Sequence, residues 1–185
     1  KFLETYPQVT LNMDLNDRKV DVVGDGFDVV IRASMKLEDS SLICRRFMTS
    51  KAVTVASPQY LEKYGKPKSP SELINHKTMS YSNLKAPNNW IYHNDAGEET
   101  VVTVNSEVIT NSPELELELC LGGQGIMRMP VFNLGDEIET GRLVPLFEDY
   151  LEPEVSVYLV YASRKHMSAK VRAFIDFIMA ELGTL

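Results

Sequence analysis

Helix-like and strand-like patterns alternate along this sequence, and that alternation is the feature that most narrows its fold. Compact apolar runs such as Phe27–Ile31 and Val155–Val160 are typical of buried strands. Between such runs, Ser57-Pro58 and Ser112-Pro113 indicate helix starts, because serine caps a helix and proline suits its first turn. The alternation predicts an α/β fold whose sheets are mixed and mostly parallel.

The first part of the chain predicts a parallel pair of strands. Apolar and polar residues alternate strictly over Val9–Leu15, as in a half-buried strand. Asn16-Asp17 can then cap a short helix that ends before Gly24, and Phe27–Ile31 would be the second strand. Further strands are expected along the rest of the chain, at Leu42–Phe47, Ala52–Ala56, Thr78–Tyr81, Trp90–His93, Thr100–Val104, Gly125–Met129 and Leu143–Leu146.

The segment Pro113–Leu121 alternates with a period of two, which would ordinarily predict a strand. The capping serine before it, the proline at its start and Gly122-Gly123 after it favour a helix instead. Such a helix is apolar on nearly every side, so it should be buried on more than one. We therefore expect a homodimer surface here, formed by Leu117, Cys120 and Leu121.

Composition excludes several classes of protein. Nineteen Lys and Arg against 26 Asp and Glu give a formal net charge of −7, which disfavours nucleic-acid binding by these residues. No apolar run is long enough to span a membrane, and no secretory leader opens the chain. The two cysteines, Cys44 and Cys120, form neither a disulfide framework nor a metal-ligand spacing. A reducing, cytoplasmic location is therefore expected.

No catalytic motif stands out, so the expectation is that the chain is not an enzyme and has no cofactor, catalytic residue or metal site. It contains no Gly-x-Ser-x-Gly, Walker loop or His-Glu-x-x-His. The three histidines are expected to be solvated surface residues. The glycine-rich run Gly122–Gly125 follows a helix, whereas a phosphate loop precedes one.

The two Ser-Pro helix starts allow two interpretations. In open α/β sheets, ligands bind beyond the carboxyl ends of strands, often against helix N-termini. Ser57 and Asn111-Ser112 could therefore face one another across a cleft and hold a small anion. Ordinary helix capping explains the same residues equally well.

A longer ordered set of motifs resembles the LysR-type transcriptional regulators. The set runs from one end of the chain to the other and comprises Tyr6-Pro7, Asp17-Arg18-Lys19-Val20-Asp21-Val22-Val23, Gly26-Phe27-Asp28-Val29-Val30-Ile31-Arg32, Asp39-Ser40-Ser41-Leu42, Ala56-Ser57-Pro58-Gln59-Tyr60-Leu61, Gly123-Gln124-Gly125-Ile126 and Gly141-Arg142-Leu143-Val144. The resemblance covers nearly the whole chain. The family's N-terminal helix-turn-helix and the first strand of its sensor domain have no counterpart here.

The resemblance implies a periplasmic-binding-protein-like domain of two Rossmann-like lobes. The first lobe would be residues 1–55 plus 154–185, and the second would be residues 56–153. A small effector, often an organic anion or aromatic acid in this family, would bind between the lobes and alter the geometry of a homodimer or homotetramer. DNA would be bound only through the absent N-terminal domain, and no membrane would be involved.

Carried over by position, the resemblance implies a set of effector-binding residues. The first lobe would contribute Arg32, Ala33 and Ser34, and the connection to the second would contribute Ser57 and Pro58. The second lobe would contribute Tyr81, Asn111, Met129, Pro130 and Phe132. The leading alternative is a periplasmic-type solute-binding protein, which shares the two-lobe architecture, and a small-molecule enzyme is a more distant one.

Overall fold

The computed structural model describes residues 1–16, 20–35, 42–162 and 167–183. The start of the predicted short helix, the Asp39-Ser40-Ser41 motif and His166 lie outside these residues. The chain divides into two compact units. Unit 1 comprises residues 1–49 and 155–185, and unit 2 comprises residues 50–154. Helices and strands are interspersed in both units, which confirms the α/β class.

The elements follow one another along the chain in this order: α1 (Phe2–Thr5), β1 (Val30–Ser34), β2 (Ile43–Ala56), α2 (Pro58–Tyr64), a 3-10 helix (Pro70–Asn75), β3 (Thr78–Tyr81), β4 (Asn89–His93), β5 (Glu99–Thr103), β6 (Ser106–Thr110), α3 (Pro113–Leu121), β7 (Met127–Pro130), a second 3-10 helix (Val131–Asn133), β8 (Val144–Leu146), β9 (Glu154–Tyr161) and α4 (Ala169–Leu182).

In unit 1, β9 lies between β1 and the first half of β2. β1 and β9 are antiparallel, with Val30 opposite Val160 and Ser34 opposite Ser156. Helix α4 covers this sheet because its apolar residues recur every three or four positions, so that Val171 and Ile175 pack on Leu159. Ser168 caps the helix by accepting a 3.4 Å hydrogen bond from the amide of Val171, as its sequence predicted.

The predicted strand Val9–Leu15 is not a strand in the structure, and the parallel pair built on it is absent. Leu11, Met13 and Leu15 are exposed, with Leu15 87% accessible to solvent. Alternation predicts a strand only where a neighbouring strand completes the hydrogen-bond ladder, and none of the described strands pairs with this segment. The strand expected at Phe27–Ile31 is displaced toward the C-terminus as β1, and it pairs with β9 instead.

The sheet of unit 2 combines parallel and antiparallel pairs. β3 and β6 are parallel, and a parallel bridge between Thr78 and Ile126 places β7 on the other side of β3. β7 and β8 both pair with β2 in antiparallel fashion. Four of the pairings among the described strands, β1–β9, β2–β7, β2–β8 and β4–β5, are antiparallel. The expected predominance of parallel pairing is therefore not found in the described part of the chain.

Helix α3 packs against β3, β6 and β7, and a hydrophobic core lies beneath it. Met127 and Met129 point into this core from alternate positions of β7, together with Val55 of β2 and Cys120 of α3. A second core lies around Trp90 and Tyr92 of the β4–β5 hairpin. The capping serine and proline correctly predicted α3 as a helix in spite of its period-two pattern.

Candidate functional site

The carboxyl ends of three parallel strands meet at one edge of the sheet in unit 2. β3 ends at Tyr81, β6 ends just before Asn111, and β7 ends at Pro130. The amide of Ser82 donates a 2.8 Å hydrogen bond to the carbonyl of Thr110, which holds the first two strand ends together. We call the edge formed by Tyr81, Asn111 and Pro130 the strand-end edge. It is the position where open α/β sheets bind ligands.

Two polar side chains and one aromatic ring lie along the strand-end edge. Asn111 is exposed, and the half-buried Tyr81 hydroxyl accepts a 3.3 Å hydrogen bond from the Asn83 side-chain amide. Phe132 follows directly after β7 in the second 3-10 helix and is 37% exposed. The predicted residues Tyr81, Asn111, Pro130 and Phe132 thus come from the same end of neighbouring parallel strands.

Helix α3 also begins at the strand-end edge, but its first turn is already occupied. The hydroxyl of Ser112 accepts a 3.2 Å hydrogen bond from the Leu115 amide and donates one of 2.9 Å to the Glu114 carboxylate. Pro113 has no amide hydrogen, and the Glu116 amide already bonds the Ser112 carbonyl. Only the Glu114 amide is left, next to its own carboxylate. The start of α3 therefore does not form the anion-binding site that the sequence predicted.

Ser57 lies at the opposite edge of the same sheet. β2 runs antiparallel to β7, so that Ala52 is opposite Pro130 whereas Val55 is opposite Met127. Ser57, which follows β2, therefore lies near the start of β7. The thiol of Cys120, in the last turn of α3, lies beside the Ser57 backbone. Cys120 is about 12 Å along the helix axis from Ser112, at 1.5 Å per residue.

The prediction that the two Ser-Pro helix starts face one another is therefore wrong. The Ser57 side chain is 2% exposed and caps α2 by accepting a 3.4 Å hydrogen bond from the Tyr60 amide. Pro58 begins α2 at this same distant edge. The register of β2 against β7 separates the two serines, and the sequence of either strand alone contains no sign of it. Ordinary capping accounts for Ser57.

The prediction that Met129 contacts the effector is also wrong. Its side chain is 3% exposed and packs in the core beneath α3, because alternate residues of β7 point to opposite faces of the sheet. A core methionine has no surface left for a ligand.

The predicted residues Arg32, Ala33 and Ser34 lie on β1 of unit 1. Arg32 is half-buried, and its guanidinium donates a 3.2 Å hydrogen bond to the carbonyl of Val20. Ala33 points to the opposite face of the strand from its two neighbours and is exposed. Their role in effector binding stays a prediction.

Of the residues expected at a dimer surface, Cys120 is wrongly assigned. It is completely buried in unit 2, its thiol donates a 3.7 Å hydrogen bond to the Val55 carbonyl, and burial raises the pKa of that thiol to about 12. Leu117 and Leu121 are partly buried against the same core. The apolar residue that α3 presents most openly is Leu115, which is 48% exposed.

Sequence patterns missed a half-buried cationic group on the other face of β7. The guanidinium of Arg128 lies 5.1 Å from the Trp90 ring centre and 5.5 Å from that of Tyr92, and it donates a 3.1 Å hydrogen bond to the Ile91 carbonyl. Burial lowers the pKa of Arg128 and raises that of Tyr92. The single available signal was the alternation of Met127, Arg128 and Met129, which places the arginine opposite two core residues.

The histidines in the described residues act as structural side chains. Nδ1 of His76 lies 3.1 Å from the Tyr60 hydroxyl, and burial lowers the pKa of this imidazole. His93 lies 3.6 Å from the Glu99 carboxylate on the β4–β5 hairpin. Within the described ranges, no three His, Cys, Asp or Glu side chains are grouped so as to hold a metal ion. None of the described helices is both long and apolar enough to cross a membrane.

Comparison with known proteins shows one family over the whole chain. The family model described as "LysR substrate binding domain" matches residues 1–183. The HTH-type transcriptional regulator CrgA of Neisseria meningitidis serogroup B is 30% identical over 184 residues, which are 99% of this chain and 60% of the relative. The HTH-type transcriptional regulator DmlR of Escherichia coli is 31% identical over 176 residues, 95% of this chain and 56% of the relative.

Solved structures give the same result. The regulatory domain of CrgA from Neisseria meningitidis superposes with a TM-score of 0.86 at 30% identity, covering 98% of this chain and 88% of that one. The full-length virulence activator AphB of Vibrio cholerae superposes with a TM-score of 0.85 at 29% identity, covering 98% of this chain and 61% of that one. The chain thus spans about three fifths of the length of these full-length regulators.

Proposed function

Because the chain belongs to the LysR substrate binding domain family, we propose that it is the effector-sensing domain of a LysR-type transcriptional regulator. Supporting this proposal, the relatives named above are HTH-type transcriptional regulators that continue well beyond the matched region. DNA would be contacted by residues outside this chain. Unit 2 alone contains eight Lys and Arg against sixteen Asp and Glu, a balance unsuited to a phosphate backbone.

The proposed effector contact in unit 2 is the strand-end edge, with Asn111 and Tyr81 as polar contacts and Phe132 as an apolar one. The observation that carries this proposal is the convergence of the carboxyl ends of β3, β6 and β7. An amide, a phenol and an exposed ring suit a small molecule with both hydrogen-bonding and apolar groups. Because the α3 start is self-capped, an organic anion would gain little from that helix.

Calorimetry on matched variants tests the proposed contact. A compound that raises the melting temperature in a screen of small metabolites would be titrated against the wild type, Asn111→Ala and Ser57→Ala. We expect Asn111→Ala to weaken binding about tenfold, the effect of losing one hydrogen bond of about 1.4 kcal/mol. Ser57→Ala should bind like the wild type because Ser57 lies at the other edge. Equal affinities for all three proteins, or a loss confined to Ser57→Ala, would reject the strand-end edge.

The remaining parts of the proposal concern the whole regulator. A gel-shift assay of the complete gene product on its own promoter region should show DNA binding, whereas the 185-residue chain should show none. A cytoplasmic location follows, since that is where the DNA is. A periplasmic-type solute-binding protein is not favoured, because the named relatives are regulators. A catalytic function is not favoured either, because the named relatives are transcriptional regulators.

Self-association also belongs to the proposal. A homodimer or homotetramer would let an effector change the spacing of two DNA-binding parts. The outer side of α3 supports such a contact, since Leu115 is exposed there and Leu117 and Leu121 are only partly covered. Effector binding would act by favouring one arrangement of the subunits over another.

A further inference from the structure

Glu116 is buried in unit 2, and one oxygen of its carboxyl group has no hydrogen-bond partner among the described residues. It lies in the middle of α3, and its side chain is 1% exposed. Its Oε1 atom is shielded from solvent and forms no hydrogen bond with the described residues. One turn further along the same face, Cys120 is completely buried among apolar side chains. A carboxylate in such surroundings is strongly disfavoured unless it takes up a proton.

The neighbouring residue makes this placement more unusual. Leu115 is 48% exposed, so α3 buries a carboxyl group and exposes a leucine next to it. Successive residues of an α-helix differ by about 100° around its axis. The two side chains therefore lie on different faces of α3, and the face that carries the carboxyl group is the one turned toward the core. The helix thus buries an ionisable side chain, and the cost of that burial depends on the protonation state of Glu116.

The charged groups near α3 offer Glu116 no compensation. On α3 itself, Glu114 accepts from Ser112 and Glu118 is exposed. The titratable groups on the elements packed against the helix are engaged elsewhere or belong to the strand-end edge. They are Glu107 of β6 with Lys77, Arg128 of β7 over Trp90, Tyr81 of β3, and Arg142 with Asp136 and Glu137 in the segment after β7.

We propose that protonation of Glu116 controls the packing of α3. With the carboxyl group protonated, the helix packs on β3, β6 and β7 as observed. Loss of the proton loosens the helix from these strands. Burial alone raises the pKa of this carboxyl from its ordinary 4.5 to about 7. Between these two values the folded state binds more protons than the unfolded state. Stability is therefore greatest below the lower value, falls as the pH rises between them, and levels off above about pH 7.

The test is the pH dependence of unfolding of the 185-residue chain. Urea titrations of the wild type and Glu116→Gln at pH 5 and pH 8.5 would give the unfolding constant for each. Glutamine keeps the shape of the side chain and cannot ionise. We expect the wild type to lose stability relative to Glu116→Gln by on the order of 100-fold in this constant across the range. Glu118→Gln removes an exposed charge from the same helix and should keep the wild-type pH dependence.

Hydrogen exchange would show whether the pH-dependent loss of stability is located in α3. Amides of residues 117–121 should exchange faster at pH 8 than at pH 6 in the wild type, after correction for the intrinsic pH effect, and not in Glu116→Gln. Should Glu116→Gln fail to fold, Glu116→Leu provides the same comparison with an apolar side chain. Parallel pH profiles for the wild type and the non-ionisable variant would overturn the proposal. So would exchange in α3 that does not respond to pH.

Discussion

The backbone amide of Thr54 donates a 2.7 Å hydrogen bond to Oε1 of Glu152. The bond joins the middle of β2 to the last residues of unit 2, 98 positions further along the chain. Thr54 is completely buried, and its hydroxyl lies 2.9 Å from that of Tyr92. Burial raises the pKa of the Glu152 carboxyl, although the hydrogen bond from Thr54 and the nearby charge of Arg128 oppose this rise. Oε1 of Glu152 thus provides the acceptor for the buried Thr54 amide, although burial disfavours the charged form of this carboxyl.

Removing that oxygen should destabilise unit 2. Glu152→Ala leaves the buried Thr54 amide without an acceptor, so we expect a loss of about 1–3 kcal/mol in the free energy of unfolding, measured by urea denaturation. Glu152→Gln keeps an oxygen at this position and should lose less. Glu154→Ala, which removes an exposed acid two residues away, is the control and should change stability little. If Glu152→Ala proved as stable as this control, the Thr54 bond would contribute nothing.

The two cysteines should differ sharply in reactivity. Cys44 is partly exposed, whereas Cys120 is buried and burial raises the pKa of its thiol to about 12. A thiol-specific chromogenic reagent at pH 8 should therefore label one thiol per native chain and two in urea, because only the thiolate of an accessible cysteine attacks the reagent. Cys44→Ser should abolish labelling of the native protein. Rapid labelling of native Cys44→Ser would mean that α3 does not hold Cys120 in the core.

Replacing Leu115 by glutamate should weaken self-association without unfolding the domain. Leu115 is exposed on α3, so a charge there would meet solvent in the monomer and an apolar neighbour in the proposed dimer. Sedimentation velocity should show a smaller mass for Leu115→Glu at the same concentration. Ile74→Glu adds the same charge at an exposed position of the first 3-10 helix and should leave the mass unchanged. The same mass for both variants and the wild type would remove α3 from the proposed interface.

Strand predictions succeeded where a segment paired with a neighbour close to the expected register. Thr78–Tyr81 was predicted correctly, and Trp90–His93 coincides with β4 to within one residue. Two strands predicted within residues 42–56 are a single strand, β2, because nothing in the intervening residues breaks the ladder. β6 was missed altogether, since its five residues contain only two apolar ones, Val108 and Ile109, which are adjacent and give no alternation.

Within the candidate site, the family resemblance pointed to Asn111 and Tyr81, which lie at strand ends, but it also pointed to Met129 and Ser57. Which side of β7 a residue occupies depends on the pleat and on what packs against it, so a motif cannot distinguish Met129 in the core from Pro130 at the edge. Ser57 matched its motif because it caps α2, and a cap is as necessary far from a ligand as close to one.

The sequence by itself determined where the capped helices of this protein begin and to which family the protein belongs. Ser57, Ser112 and Ser168 each cap a helix through an amide three residues away, and so local a contact is fully specified by neighbouring residues. The tertiary structure alone decided which sheet edge each helix begins at and which side chains are enclosed. The antiparallel register of β2 on β7 separates Ser57 from Asn111, and the packing of α3 encloses Glu116 while leaving Leu115 exposed. Both outcomes depend on contacts between residues far apart in the chain, so no local pattern contains them.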